Sequence, residues 1–152
     1  MIAEPDLLDT LHATFGFSAF RGVQDRVVGR VLAGQSTLAV MPTGAGKSLC
    51  YQVPALLLPG LTLVVSPLIA LMKDQVDGAR ENGLPAAFLN STLGADEARA
   101  TWRELAAGRV QLDPAAVGRL GERDRRIGRE VQPAGVAVPA HVLAGERHVV
   151  AR

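Results

Sequence analysis

Apolar positions fall at helical spacing over the first part of the chain. Pro5, suited to a first helical position, is followed by Leu7, Leu8, Leu11 and Phe15, with Gly16 as the stop, which predicts a short amphipathic helix. A second helix is predicted from about Gln24 to Ala33. It would bury Val27, Val28, Val31 and Leu32 and end at Gly34, which tolerates the left-handed conformation of many helix C-termini. The pattern then changes: Thr37 to Met41 is a short β-rich apolar run, Pro42 to Gly46 a glycine-rich turn, and Lys47 to Leu57 a helix kinked at Pro54. Leu61 to Val65 predicts the next buried strand, and about Leu68 to Glu81 the next helix, capped by Gly83. Ala86 to Leu89 predicts a third strand. Asp96 to Ala107 predicts a helix with Ala98, Trp102 and Leu105 on one face, and Arg109 to Leu112 the start of a fourth strand. Strands alternating with helices, joined by crossovers of this length, predict an α/β class with a parallel sheet covered by helices on both faces.

The pattern breaks after Leu112. Residues 113–152 contain no Phe, Trp, Tyr, Lys, Ser, Thr, Asn, Cys or Met and consist mainly of Ala, Gly, Val, Arg and Pro. Glycines interrupt this tail, Pro133 and Pro139 punctuate it, and Arg123, Arg125, Arg126 and Arg129 form a basic cluster without an aromatic neighbour. The tail is expected to be irregular.

Composition narrows the function classes. A length of 152 residues fits one domain, and 48% hydrophobic with 20% charged residues is a globular balance. Sixteen Lys and Arg against fifteen Asp and Glu leave a formal charge of +1, so bulk electrostatics carry no nucleic-acid signal. The single cysteine, Cys50, excludes an internal disulfide, and with the scattered His12, His141 and His148 it makes no metal-ligand spacing. Glu4, Pro5 and Asp6 sit where a secretory signal would be basic and then apolar, and Pro59 and Gly60 break the apolar runs far short of the ~20 residues of a membrane span. The expected setting is a reducing cytoplasm, with no membrane partner.

The candidate chemistry lies in the turn after the first strand. Pro42-Thr43-Gly44-Ala45-Gly46-Lys47-Ser48 stands between an apolar strand and a helix start, where a phosphate-binding loop must stand. Glycines let the backbone curl so that successive N–H groups converge on phosphate oxygens, and the helix N-terminus adds partial positive charge. Lys47 would reach the β- and γ-phosphates, and the Ser48 hydroxyl would meet Mg²⁺. The loop departs from the strict G-x-x-x-x-G-K-[ST] form, because Met41 holds the first glycine position. The plain structural alternative is a strand–turn–helix carrying a surface lysine.

The longer stretch MPTGAGKSLCYQVPAL is very similar to the nucleotide-binding motif of the RecQ family of superfamily 2 DNA helicases. Upstream, Phe15 to Gln24 (FGFSAFRGVQ) resembles that family's adenine-reading motif, and downstream Val64 to Val76 (VVSPLIALMKDQV) resembles its next motif. The resemblance covers roughly Leu11 to Leu112. It implies an incomplete RecA-like P-loop NTPase lobe that uses ATP and Mg²⁺, and DNA, single-stranded or partly duplex, as the partner. It assigns adenine contacts to Phe17, Arg21 and Gln24, phosphate contacts to Thr43, Gly44, Ala45, Gly46 and Lys47, and Mg²⁺ to Ser48. An Arg plane stacks on an aromatic base and a Gln amide both donates to and accepts from the adenine edge. Core packing is the alternative for Phe17 and the expected role of Phe20. Cys50 and Tyr51 are expected to pack. Ser66 and Lys73, with Asn90, Ser91 and Thr92, resemble segments that touch the DNA backbone, although the same residues serve as ordinary cap chemistry.

In the family, an apolar strand ending in Asp-Glu-x-His follows, and none occurs in these 152 residues. Asp96-Glu97-Ala98-Arg99 follows a polar turn rather than a buried strand, so its acidic pair is expected to serve the helix dipole. The expected division is 1–112 as a partial first lobe and 113–152 as a non-homologous tail, with a shifted reading frame as one account of it and a genuine but divergent tail as the other. Binding of nucleotide without turnover is then expected of this chain alone. Two further readings stay open: a catalytically inactive nucleotide- or single-strand-binding product, and another small P-loop enzyme.

Overall fold

A computed structural model describes the backbone of residues 4–66, 69–116, 141–144 and 148–151. Its elements run α1 (Glu4–Phe15), α2 (Gln24–Leu32), β1 (Thr37–Val40), α3 (Leu49–Leu57), β2 (Thr62–Ser66), α4 (Ile69–Glu81), α5 (Ala95–Ala106), β3 (Leu112–Ala116), β4 (His141–Ala144) and β5 (His148–Ala151). The predicted helices and the first two strands therefore stand within a few residues of their expected bounds. Leu68, the expected start of α4, and the Arg123–Arg129 cluster lie outside the described residues.

Helix α2 shows how pattern becomes packing. Val27, Val28 and Val31 are buried while Arg26 and Arg30 face outward, which is the apolar stripe of an amphipathic helix. That stripe divides between two cores. Val27 and Val31 join Met41, Cys50, Tyr51, Val64, Val76 and Leu112 in the main one. Val28 joins Leu11, Leu49 and Val53, with Phe20 packed against their edge as its core reading anticipated. A third cluster, Ala87, Leu89, Leu105 and Val110 with Ala98 and Trp102 at its rim, seats α5.

The sheet has the order β1-β5-β4-β2-β3. β2 pairs in parallel with β3 and β4, as expected of a crossover fold, but β5 runs antiparallel to both β1 and β4. The parallel pairing is as expected, β5 adds an antiparallel strand to it, and β4 and β5 form within the tail that was expected to be irregular. The sequences HVLA and HVVA are rich in β-branched and apolar residues, and only three residues separate them. So short a link joins antiparallel neighbours, because a parallel crossover needs a dozen or more residues.

The predicted strand at Ala86 to Leu89 is present as bridge residues at Ala86 and Leu89; Ala86 pairs in parallel with Leu112, and the Ala87 N–H donates to the Leu112 carbonyl at 3.0 Å. The next rung of such a ladder would be an N–H of residue 114 donating to the Ala87 carbonyl. Residue 114 is proline and has no N–H, so that rung is missing. On its other side β3 pairs with β2 through Ala116, so this strand extends past the Leu112 limit read from the sequence.

Candidate nucleotide site

The site grows from the end of β1. Met41 is buried, and the chain then turns through Pro42 to Ser48 before α3 begins at Leu49. Gly44 and Gly46 take φ values of +81° and +69°, the left-handed region that glycine enters without a Cβ clash. The Ala45 N–H donates to the Pro42 carbonyl at 3.2 Å, closing a tight turn. The first turn of α3 is drawn in by bonds from the Leu49, Cys50 and Tyr51 N–H groups to the carbonyls three residues earlier. Ser48 stands at the helix N-terminus with its side chain making no capping bond.

A pocket of about 330 Å³ opens beside this loop. Its wall holds Phe17, Arg21, Gln24, Gly44, Ala45, Gly46 and Ser48, so the fold brings the upstream motif and the loop to one place. Thr43, which is exposed, and Lys47, which is half-buried, lie on the loop but outside that wall. Gln52 and Asn82 also line it, and neither was expected. Gln52 is one helical turn beyond Ser48, a spacing that could have revealed it; Asn82 arrives from the far end of α4, and no local pattern marks it. A larger depression of about 890 Å³ between α2 and β1 contains none of the expected site residues.

Within the pocket, the Arg21 guanidinium carbon lies 6.0 Å from the centroid of the Phe17 ring. Phe17 is 43% exposed, so its ring is available for stacking rather than consumed by the core. Gln24 is 2% exposed and fully engaged at its nitrogen: Nε2 donates to the Ala45 carbonyl at 2.9 Å and to the Gly46 carbonyl at 3.1 Å. Its Oε1 accepts the Arg21 N–H at 2.8 Å. Reading an adenine edge with this amide would require release of a loop bond or use of the remaining lone pair on Oε1.

Cys50 and Tyr51 pack as expected. The Cys50 sulfur touches the Met41 sulfur at 3.9 Å, and burial pushes its thiol up to about 11, so it is no activated thiolate. Burial, and secondly the neighbouring Cys50, push the Tyr51 hydroxyl up to about 12. Among the described residues, no group of three or more His, Cys, Asp and Glu is placed to hold a metal ion.

The residues expected at DNA form a second neighbourhood. Asn90 is buried. Its side-chain oxygen accepts from the Thr92 N–H at 2.9 Å and the Thr92 hydroxyl at 2.6 Å, and its amide nitrogen meets the Met72 sulfur at 3.9 Å. Asn90 thus orders the turn and ties it to α4, leaving Ser91 and Thr92 exposed beside the helix that carries Lys73. Lys73 is ion-paired with Asp77 one turn on, and that hydrogen bond raises its pKa. Ser66 is the last residue of β2 and pairs through its backbone with Ala116. Asp96 and Glu97 fall in the first turn of α5, where the Glu97 carboxylate accepts the Gly94 N–H at 3.1 Å, so the acidic pair is helix-start chemistry.

A mixed, mainly parallel α/β sheet with a glycine-lysine-serine loop between strand and helix defines a RecA-like P-loop protein. Residues 21–126 match the DEAD/DEAH box helicase family model, and the chain belongs to that family. The match runs beyond Leu112, where the sequence resemblance was expected to end. The chain is 48% identical over 112 residues to an ATP-dependent DNA helicase RecQ of Haemophilus influenzae, covering 74% of this chain and 18% of that protein. It is 54% identical over 84 residues to an ATP-dependent DNA helicase RecQ of Bacillus subtilis, covering 55% and 14%. It therefore spans less than a fifth of these relatives. Among solved structures, a hypothetical ATP-dependent RNA helicase from Sulfolobus tokodaii has the same fold, with a TM-score of 0.63 at 22% identity over 82% of this chain and 37% of that one. No helix among the described residues is long and apolar enough to cross a membrane.

Proposed function

We propose that this chain is the ATP-binding portion of a RecQ-like ATP-dependent 3′-to-5′ DNA helicase acting in DNA repair and recombination. The observation that carries the reading is the single pocket walled by Phe17, Arg21 and Gln24 on one side and by Gly44, Ala45, Gly46 and Ser48 on the other. Phe17 and Arg21 would hold the adenine between ring and guanidinium plane, with Gln24 at its edge. The loop amides of Thr43 to Lys47, that of Ala45 once released from the Pro42 carbonyl, and the Lys47 ammonium would hold the phosphates. The Ser48 hydroxyl, which makes no hydrogen bond among the described residues, fits as one oxygen ligand of Mg²⁺, the others coming from phosphate and water. Mg²⁺ bound there would supply positive charge to offset that of the phosphates. Ser66, Lys73, Ser91 and Thr92, positioned by Asn90, are the proposed contacts to the backbone of single-stranded or partly duplex DNA.

One observation favours a second, narrower reading, a nucleotide- or single-strand-binding product without turnover. These 152 residues contain no Asp-Glu-x-His sequence to hold Mg²⁺ through water and orient the attacking water. We carry forward the division at Leu112, with 113–152 as a tail of distinct origin. Reading the gene in all three frames beyond the Leu112 codon tests it: an apolar strand ending in DExH in another frame supports the division, and its absence from every frame removes it. The nucleotide assignment is tested by MgATP binding to the wild-type, Lys47→Ala and Gln24→Ala chains. Both substitutions are expected to weaken binding, and equal affinity in all three chains would reject the assignment.

A further inference from the structure

Helix α3 carries one amide in an otherwise apolar sequence, LCYQVPALL. Leu49 and Val53 enter one core and Cys50, Tyr51 and Ala55 another, while Gln52 stands among them with 6% of its surface exposed. Its side chain makes no hydrogen bond among the described residues. An amide held in that way gives up bonds to water without replacing them, and Leu or Met would fill the same space without that cost. The amide is not sealed in, because the side-chain atoms closed off from solvent without a partner belong to other residues. Gln52 lines the pocket that Phe17, Arg21 and the glycine-rich loop also wall, so its donor and acceptor are presented to whatever fills that pocket.

Position along α3 selects the part of a ligand that Gln52 would meet. Its backbone N–H donates to the Ser48 carbonyl at 2.9 Å, which places the two residues one turn apart on one face of the helix. The donors that hold phosphate end with the loop and the first turn, so a group one turn further on faces the nucleoside. The other amides of the wall are already committed. Gln24 gives Nε2 to the Ala45 and Gly46 carbonyls and Oε1 to the Arg21 N–H, and Asn82 Nδ2 donates to the Gly78 carbonyl at 2.7 Å. Gln52 keeps both its donor and its acceptor. Adenine presents an amino donor beside a ring-nitrogen acceptor, a pattern that one amide meets with two bonds.

Resting on the reading of this pocket as a nucleotide site, we propose that Gln52 is a base-specificity residue: Oε1 accepts from the adenine amino group and Nε2 donates to the adjacent ring nitrogen. It takes no part in holding the phosphates.

The test is calorimetric titration of the 152-residue chain and its Gln52→Met variant, which keeps a similar volume and loses the amide. Four magnesium complexes are compared: ATP, purine riboside triphosphate, which lacks the amino group, 2′-deoxy-ATP, and tripolyphosphate, which has no nucleoside. The wild type should prefer ATP to the amino-less analogue. In the variant, ATP should weaken by about tenfold for two lost hydrogen bonds, and the preference for the amino group should shrink. Tripolyphosphate should bind both chains equally, showing that the loop of the variant is folded. Unchanged ATP affinity in the variant would overturn the proposal. Equal weakening of ATP and the amino-less analogue would also overturn it, and 2′-deoxy-ATP insensitive to the substitution would then assign Gln52 to the ribose. Tripolyphosphate weakened as much as ATP would overturn it by assigning Gln52 to the packing of α3. If the wild-type chain binds neither ATP nor tripolyphosphate, the nucleotide reading itself fails, a result distinct from these.

Discussion

Gly44 and Gly46 are two residues apart on one loop and share the left-handed conformation, yet alanine should affect them differently. At Gly44 (φ +81°) the new methyl meets nothing within 4 Å, so the cost is backbone strain alone, roughly 1–2 kcal/mol. At Gly46 the same strain applies, and the methyl also lands 2.6 Å from Gln24 Nε2. That amide sits at the end of a side chain able to move, so the cost is set by the bonds it must leave. Displacing it breaks the bonds to the Ala45 and Gly46 carbonyls, each worth roughly 0.5–1.5 kcal/mol, in a place where burial keeps water from replacing them. Gly46→Ala should therefore destabilise the chain by about 1–3 kcal/mol more than Gly44→Ala. Urea unfolding followed by fluorescence of Trp102, the sole tryptophan, measures the difference. In a Gln24→Ala background the excess should vanish, because its cause has been removed. Equal costs at the two glycines, or an excess that persists without Gln24, would refute the reasoning.

Three further outcomes follow from the same structure. Folding raises Cys50 from 9.0 to about 11 and Tyr51 from 10.0 to about 12, so the folded chain holds protons that the unfolded chain releases. Their contribution to stability should be constant well below pH 9 and fall from about pH 9 toward 12, by an upper limit of about 2–3 kcal/mol for Cys50 alone; a urea midpoint unchanged from pH 8 to pH 11 would reject the burial argument. Iodoacetamide at pH 8 should alkylate Cys50 far more slowly in the folded than in the urea-unfolded chain, and equal rates would contradict its packing role. Glu97→Ala should cost about 0.5–1 kcal/mol by leaving the Gly94 N–H without its carboxylate, and an unchanged melting temperature would count against that cap.

What the sequence revealed followed the range of the interactions involved. Helices α1 to α5 were legible because apolar spacing and glycine stops act over a few residues, and α2 shows the correspondence directly. The Pro42–Ser48 loop was legible because its glycines, Lys47 and Ser48 are contiguous and sit at a strand-to-helix junction. The bonds from Gln24 to Ala45 and Gly46 were not legible. They join residues more than twenty positions apart, and nothing in a glutamine at a helix start announces which carbonyl it will meet. Strands β4 and β5 were hidden for a different reason: four-residue apolar runs amid Gly and Pro carry little periodic signal, and their order is expressed only through pairing with β1 and β2. Pro114 lies inside β3, where its missing N–H removes one rung beside Ala87.

The most direct test of the central claim, that the loop and the Phe17–Gln24 segment form one nucleotide site, is calorimetric titration of MgATP into the 152-residue chain and its Lys47→Ala variant. The account predicts saturable one-to-one binding to the wild type and at least a tenfold loss in the variant, the order expected when one charge-assisted phosphate contact is removed. Absence of binding to folded wild-type chain, or equal affinity in the variant, would contradict it.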